Sequence, residues 1–168
     1  TPGGFHHIHQ AEFEAVGGDA PNPYVMGTRC HQLAMLVVYE SAFGVMCDSP
    51  DNYRDQPGTD FLKIVPTTWD ETRYISGYPG ESIVMARRSG TKWYVGGMTN
   101  EEHRNVSFDL DFLEDGSHVL TLWKDAADTD LDPARLVKER MEVQSGDPVA
   151  VRMAKAGGFV MILEQDPS

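Results

Sequence analysis

Positive charge and cysteine are both scarce in this sequence. Its 14 Lys and Arg are set against 26 Asp and Glu, a formal net charge of −12, and no basic stripe interrupts the acidic background. Nucleic acids and anionic membrane surfaces are polyanions, so neither is expected as a partner. A neutral or cationic ligand stays open. The two cysteines, Cys30 and Cys47, allow at most one disulfide and lack the Cys-x2-Cys spacing of a zinc site. Each lies among apolar residues ("TRCHQLAM", "GVMCDSP"), where a small buried hydrophobe is expected. No run reaches the roughly 18 to 20 consecutive apolar residues of a membrane helix. The N-terminus has no charged-then-apolar leader pattern. The chain opens in a loop-like stretch without an initiator Met, "TPGGFHHIHQAEFEAVGG", so that lack has no bearing on export. Gly-x-Ser-x-Gly, a phosphate loop and a dinucleotide fingerprint are all missing.

What is present is the composition of a folded protein: 40% hydrophobic and 24% charged residues, enough apolar side chains for a core. The longest apolar run, "QLAMLVVYESAFGVMC", predicts a buried helix from about Thr28 to Ser41, with Thr28 as N-cap, then a short buried strand from Gly44 to Cys47. Ser49-Pro50 repeats the helix-start signal, and a second helix is expected over Thr59 to Val65. Helix, buried strand, helix is the pattern of a parallel α/β unit, and one such strand needs partners from elsewhere. After "VPTT" the pattern changes. Eight short alternating segments, from "WDETRYIS" to "FVMILE", are separated by turn signals such as "GYPG", "EDGS" and "KAGG". They predict an antiparallel sandwich or barrel, with the domain boundary near Pro66 and the second domain from about Thr67 to Gln165.

Few residues here announce chemistry. His6, His7 and His9 invite a metal reading, but no Cys or carboxylate follows at ligand spacing before Glu12 and Glu14, and a polar loop accounts for them. "DTDLDPARLVKE" spaces Asp128, Asp130, Asp132 and Glu139 as in a calcium loop. Its sixth position is Pro133 where the sharp turn requires Gly, so an acidic solvated loop is expected. Carboxylates at 12 and 14, at 48, 51 and 55, and at 70 and 71 could serve acid–base hydrolysis, although sequence separation does not show which converge. Trp69, Trp93 and Trp123 could stack on sugar, yet Trp93 and Trp123 sit in strand patterns where core packing is expected.

"TPGGF", "MGTRCHQLAMLVVYESAFGVMCDSPDNY", "DFLKIVPTTWDETRYISGYPGESIVMARR" and "WYVGGMTNEEHRNVSFDLDFL", in that order, resemble the C-terminal part of glycoside hydrolase family 97. The resemblance implies an α+β fragment: residues 1–66 as the C-terminal end of a catalytic (β/α)8 barrel, and residues 67–168 as an all-β antiparallel sandwich. It implies a parent enzyme that hydrolyses terminal α-glucosides or α-galactosides, uses calcium, and is periplasmic or secreted. Catalytic carboxylates and calcium ligands are expected upstream, leaving none in this chain, which alone should be inactive. Barrel chemistry occurs at the C-terminal ends of the strands. Arg29 and His31, near a helix N-terminus, and Asp48, at a strand end, are therefore the expected contacts to an oligosaccharide substrate. The β-domain is expected to act in homo-oligomerisation or, alternatively, in carbohydrate binding.

Overall fold

The structure, a computed structural model, describes residues 7–8, 25–44 and 49–166, the side chains of residues 7 and 8 excepted. All eight expected strands form: β3 (Glu71–Tyr78), β4 (Ser82–Ser89), β5 (Lys92–Thr99), β6 (Arg104–Asp109), β7 (Ser117–Asp125), β8 (Leu136–Gln144), β9 (Pro148–Met153) and β10 (Gly158–Gln165). Six of them make one antiparallel sheet in the order β3-β4-β5-β10-β7-β8, while β6 and β9 pair as a separate ribbon. β10 is central because its neighbours come from both halves of the chain, with Met161 opposite Val95 of β5 and opposite Leu122 of β7. Two two-residue strands, β1 (His7–Ile8) and β2 (Val25–Met26), form a short parallel pair.

Side-chain alternation divides the large sheet into two cores. Phe159, Met161 and Leu163 of β10 pack with Val95, Leu120 and Leu122 beneath the β6–β9 ribbon, which contributes Phe108, Val149 and Val151. The intervening residues, Val160 and Ile162, point to the other face. Both faces are thus dry, and β10 reads as the continuous apolar run "GFVMILE" rather than as an alternating one.

The second face is covered by helices. α1 (Arg29–Val38) begins where predicted: the Thr28 hydroxyl accepts a hydrogen bond from the His31 backbone N–H at 3.1 Å, and the helix ends at Val38, three residues short of Ser41. Its stripe of Leu33, Ala34 and Val37 packs with Tyr94, Val160 and Ile162 of the sheet. Burying each large aliphatic side chain in that stripe contributes about 1.5–3 kcal/mol. The approach is close because β5 carries Gly96: a Cβ there would lie 2.8 Å from Val37 Cβ. Two short helices, α2 (Pro50–Tyr53) and α3 (Thr59–Leu62), continue the layer. Phe61 of α3 meets Trp123 of β7 edge to face, centroids 5.4 Å apart.

This arrangement corrects the expected barrel end. Among the described residues no parallel strand pairs follow α1. The helix that was to lie between barrel units covers the antiparallel sheet, because its apolar stripe finds a glycine-floored surface there. Pro66 therefore does not separate two cores: α1 and α3 share one with β5, β7 and β10. Of the strand expected over Gly44 to Cys47, residues 45–47 lie outside the described residues, as do the side chains of His6, His7 and His9.

Candidate functional site

Polar residues concentrate where α1 meets the sheet. The Thr28 backbone N–H donates to Ala156 O at 3.0 Å, and the Arg29 N–H donates to Pro133 O at 2.8 Å. Gly27, at φ +86°, lets the chain turn into the helix, since a Cβ there would lie 2.6 Å from Ala156 O. Directly beneath is Asp125, the last residue of β7. Its Oδ2 accepts the backbone N–H groups of Ala154 and Gly158, both at 2.9 Å. The Thr28 hydroxyl and the Cys30 thiol lie close enough to this carboxylate to favour its charged form. Burial pushes the Asp125 carboxyl above its ordinary range even though these donors oppose the shift. The Cys30 thiol, fully buried, is pushed well up by burial first and by the Asp125 charge second, so it is an inert thiol. Oδ2 of Asp125 is taken up by the protein's own backbone donors, while its Oδ1 is buried without a hydrogen-bond partner. Its work is to fasten α1, β7 and the β9–β10 turn together.

The expected substrate contacts fall around this seam. Arg29 is buried, and its guanidinium donates to Gln56 Oε1 and to Pro57 O, each at 3.3 Å. It holds the segment between α2 and α3 through an amide and a carbonyl. His31 is half-buried, with Nδ1 3.2 Å from Gly157 O. Burial lowers its pKa, with the Gly157 carbonyl and the Glu101 charge opposing. Asp48 lies outside the described residues. Arg29 and His31 thus share the N-terminal turn of α1 but face different neighbours.

On the far side of α1, the described residues leave part of the sheet open. A cleft of about 680 Å3 runs between the helix and the β3–β4 hairpin, with His31, Val38 and Tyr39 on one wall, Tyr74 and Tyr78 on the other, and Met98 between. Tyr39, Tyr74 and Tyr78 are 52%, 62% and 69% exposed. Nothing in the sequence marked these residues, because the cleft exists only once α1 is laid off-centre across the sheet.

The other motifs resolve into structural roles. Trp93 and Trp123 are buried, as the strand patterns predicted, and Trp123 Nε1 donates to Asp60 Oδ1 at 3.1 Å while Lys138 lies over its ring. Burial works to raise the Asp60 carboxyl, but the hydrogen bonds and charge of Lys138, with the Trp123 N–H, hold it below its ordinary value. The carboxylates of the calcium-like loop point to separate partners: Asp128 to Arg135, Asp130 to Arg152, and Asp132 to the Ala134 N–H. Among the described residues no group of three or more His, Cys, Asp and Glu side chains converges to hold a metal ion. None of their helices is long and apolar enough to cross a membrane.

A β-sandwich with a helix-covered second face defines a β-domain with its adjoining segment. Residues 68–164 match the family described as the glycosyl-hydrolase 97 C-terminal, oligomerisation domain, and the chain belongs to that family. A retaining alpha-galactosidase of Bacteroides thetaiotaomicron is 41% identical over 140 residues, which is 83% of this chain and 21% of that protein. A probable retaining alpha-galactosidase of Streptomyces bingchenggensis is 31% identical over 163 residues, 96% of this chain and 22% of that protein. Among solved structures, a glycoside hydrolase family 97 enzyme of a Pseudoalteromonas species, in complex with panose, superposes with a TM-score of 0.77 at 31% identity, over 82% of this chain and 22% of its own. The chain thus spans about a fifth of the length of these relatives.

Proposed function

We propose that this chain is the C-terminal part of a retaining α-galactosidase, an exo-acting enzyme that releases terminal α-linked sugar from oligosaccharides. The observation that carries this reading is the 41% identity to a retaining alpha-galactosidase across 83% of the chain, together with the domain match over residues 68–164. Retaining hydrolysis requires two carboxyl groups about 5–5.5 Å apart, one attacking the sugar and one protonating the leaving oxygen. These belong to polypeptide preceding this chain, in the parent's (β/α)8 barrel, as do the calcium ligands. Residues 1–66 carry the joint to that catalytic part, with α1 and α3 packed on the β-domain, and residues 67–168 carry the eight strands of that domain. The parent is exported, and it assembles with further copies of itself through the β-domain, a role in keeping with the family description. Of the expected sugar contacts, His31 and Asp48 are the better candidates, since the Arg29 guanidinium is engaged inside.

The test is hydrolysis of nitrophenyl α-galactoside and α-glucoside by the full-length parent and by this chain, with the anomer of the first-formed sugar read by NMR. Expected are α-galactosidase turnover with α-anomer product in the parent, loss of that turnover on calcium chelation, and none in the chain. An inactive parent, β-anomer product, or enzyme-like turnover by the chain alone would overturn the reading.

A further inference from the structure

The six-stranded sheet ends on β3 at one side and on β8 at the other, and the two edges are finished differently. β3 is interrupted by a register shift between Tyr74 and Ser76 and by Gly77 at φ +135°, devices that keep an edge from pairing with another strand. β8 runs through nine residues, LVKERMEVQ, in unbroken register with β7 and without Gly or Pro. The end of the strand shows which way its backbone faces. The Gln144 N–H donates to Asp147 Oδ2 at 2.7 Å and its C=O accepts the Asp147 N–H at 3.1 Å, while the C=O of Ser117, opposite it on β7, accepts the Asp166 N–H. These groups do not bond across the pair. Antiparallel ladders alternate, so the N–H and C=O groups of Glu142, Arg140 and Lys138 also point away from β7, and among the described residues nothing bonds to them. Resting on the reading that the β-domain joins copies of the parent, we propose that this edge is where it does so: β8 pairs antiparallel with β8 of a second copy, about a two-fold axis at Met141.

The side chains select that axis and that partner. Arg140 and Glu142 are exposed, share one face of the strand, and form no ion pair among the described residues, whereas Lys138 is held by Asp60 and Glu139 by Lys124. Centring the axis on Met141 sets Arg140 opposite Glu142 of the second copy, and the symmetry repeats the pair. On the other face Met141, 40% exposed, meets its own counterpart, so the apolar side chain that one copy leaves in water is covered by the other. Neighbouring registers are worse. An axis on Arg140 or Glu142 opposes identical charges, and one on Glu139 sets Lys138 against Arg140, each of which is destabilising. A hollow of about 550 Å3 beside the strand, lined by Val119, Arg140, Met141, Glu142 and Asp166, leaves room for the incoming side chains. Two bodies of charge −12 repel in general, but along β8 Lys138 and Arg140 balance Glu139 and Glu142, so this strip is locally neutral. It also lies within residues 68–164, the region whose family description is oligomerisation.

Met141→Cys in the full-length parent is the direct test. Facing residues of a non-hydrogen-bonded antiparallel pair have Cα atoms about 4.5 Å apart, within reach of a disulfide, and the exposed position keeps folding out of the question. With glutathione disulfide as oxidant, the expected product is a dimer linked from position 141 to position 141, mapped by mass spectrometry and missing from the unsubstituted parent. Sedimentation equilibrium gives a second reading. Arg140→Glu or Glu142→Arg alone sets like charges opposite each other twice, and should raise the dimer Kd at least about tenfold. The double variant restores opposite charges and should return Kd to within about threefold of the unsubstituted value. A link from position 141 to the preceding polypeptide, no link at all, or single variants that associate as the unsubstituted parent does would overturn the pairing. Hydrolysis of nitrophenyl α-galactoside is read in the same preparations. An active parent that dimerises without the 141 link refutes the β8 edge and leaves the functional reading standing, whereas an inactive parent that forms the link does the reverse.

Discussion

Gly96→Ala puts the seating of α1 on the sheet to a direct test. The added Cβ would lie 2.8 Å from Val37 Cβ and 3.1 Å from Ala34 O. Both are fixed to the helix backbone, so no rotamer change relieves the contact and α1 must lift as a body. Overpacking of this kind costs about 1–3 kcal/mol. The narrower freedom of alanine in the unfolded chain returns about 0.4–1 kcal/mol, leaving a net loss of about 1–2 kcal/mol. For a chain of this size each kcal/mol lowers Tm by about 2–4 °C, so a drop of about 2–8 °C is expected by circular dichroism. Gly44→Ala is the control, because a Cβ there meets nothing within 4 Å. Amide exchange should accelerate in residues 29–38 while β6 and β9, on the opposite face, keep their protection. A variant as stable as the parent sequence, with α1 amides unchanged, would refute the claim that this helix is part of the sheet's own core.

Asp125→Ala removes the acceptor of two buried backbone N–H groups. Charge-assisted bonds of this kind contribute about 1.5–3 kcal/mol each, and relief of the buried charge offsets part of that, so a loss of about 2–4 kcal/mol in urea unfolding is expected; a loss below about 1 kcal/mol would contradict the fastening role. His31 is held below its ordinary value of 6.5, which means the unfolded chain binds its proton first; stability should therefore fall as pH drops below about 6.5, and His31→Gln should flatten that slope. If the slope persists in the variant, another group is responsible. Asp125, raised by burial, acts with the opposite sign, its contribution growing as pH falls toward the ordinary carboxylate value, so Asp125→Asn should steepen the acid loss of stability.

Much of the β-domain was legible locally. Turn residues and period-two patterning placed all eight strands, and "KWYVGGMT" and "TLWKD" read correctly as strands that bury their tryptophans. Thr28 announced the helix start because capping depends on residues only three apart. The reading of residues 1–66 as a parallel barrel end did not survive, since helix periodicity states that an apolar stripe will be buried without saying against what. The answer lay about sixty and more than 120 residues away, in Gly96 of β5 and in Val160 of β10. The roles of Asp125 and Arg29 were equally hidden, because their partners, Gly158 and Pro57, are distant in sequence.

The sequence by itself determined the elements and the family, for both rest on short-range order: alternation, caps, turns and motifs in a fixed succession. Only the tertiary structure decided that α1 belongs to the sheet and that, among the described residues, a cleft opens beside it on the β3–β4 side. Those outcomes depend on which surfaces meet, and steric fit between distant segments is not written in any local pattern.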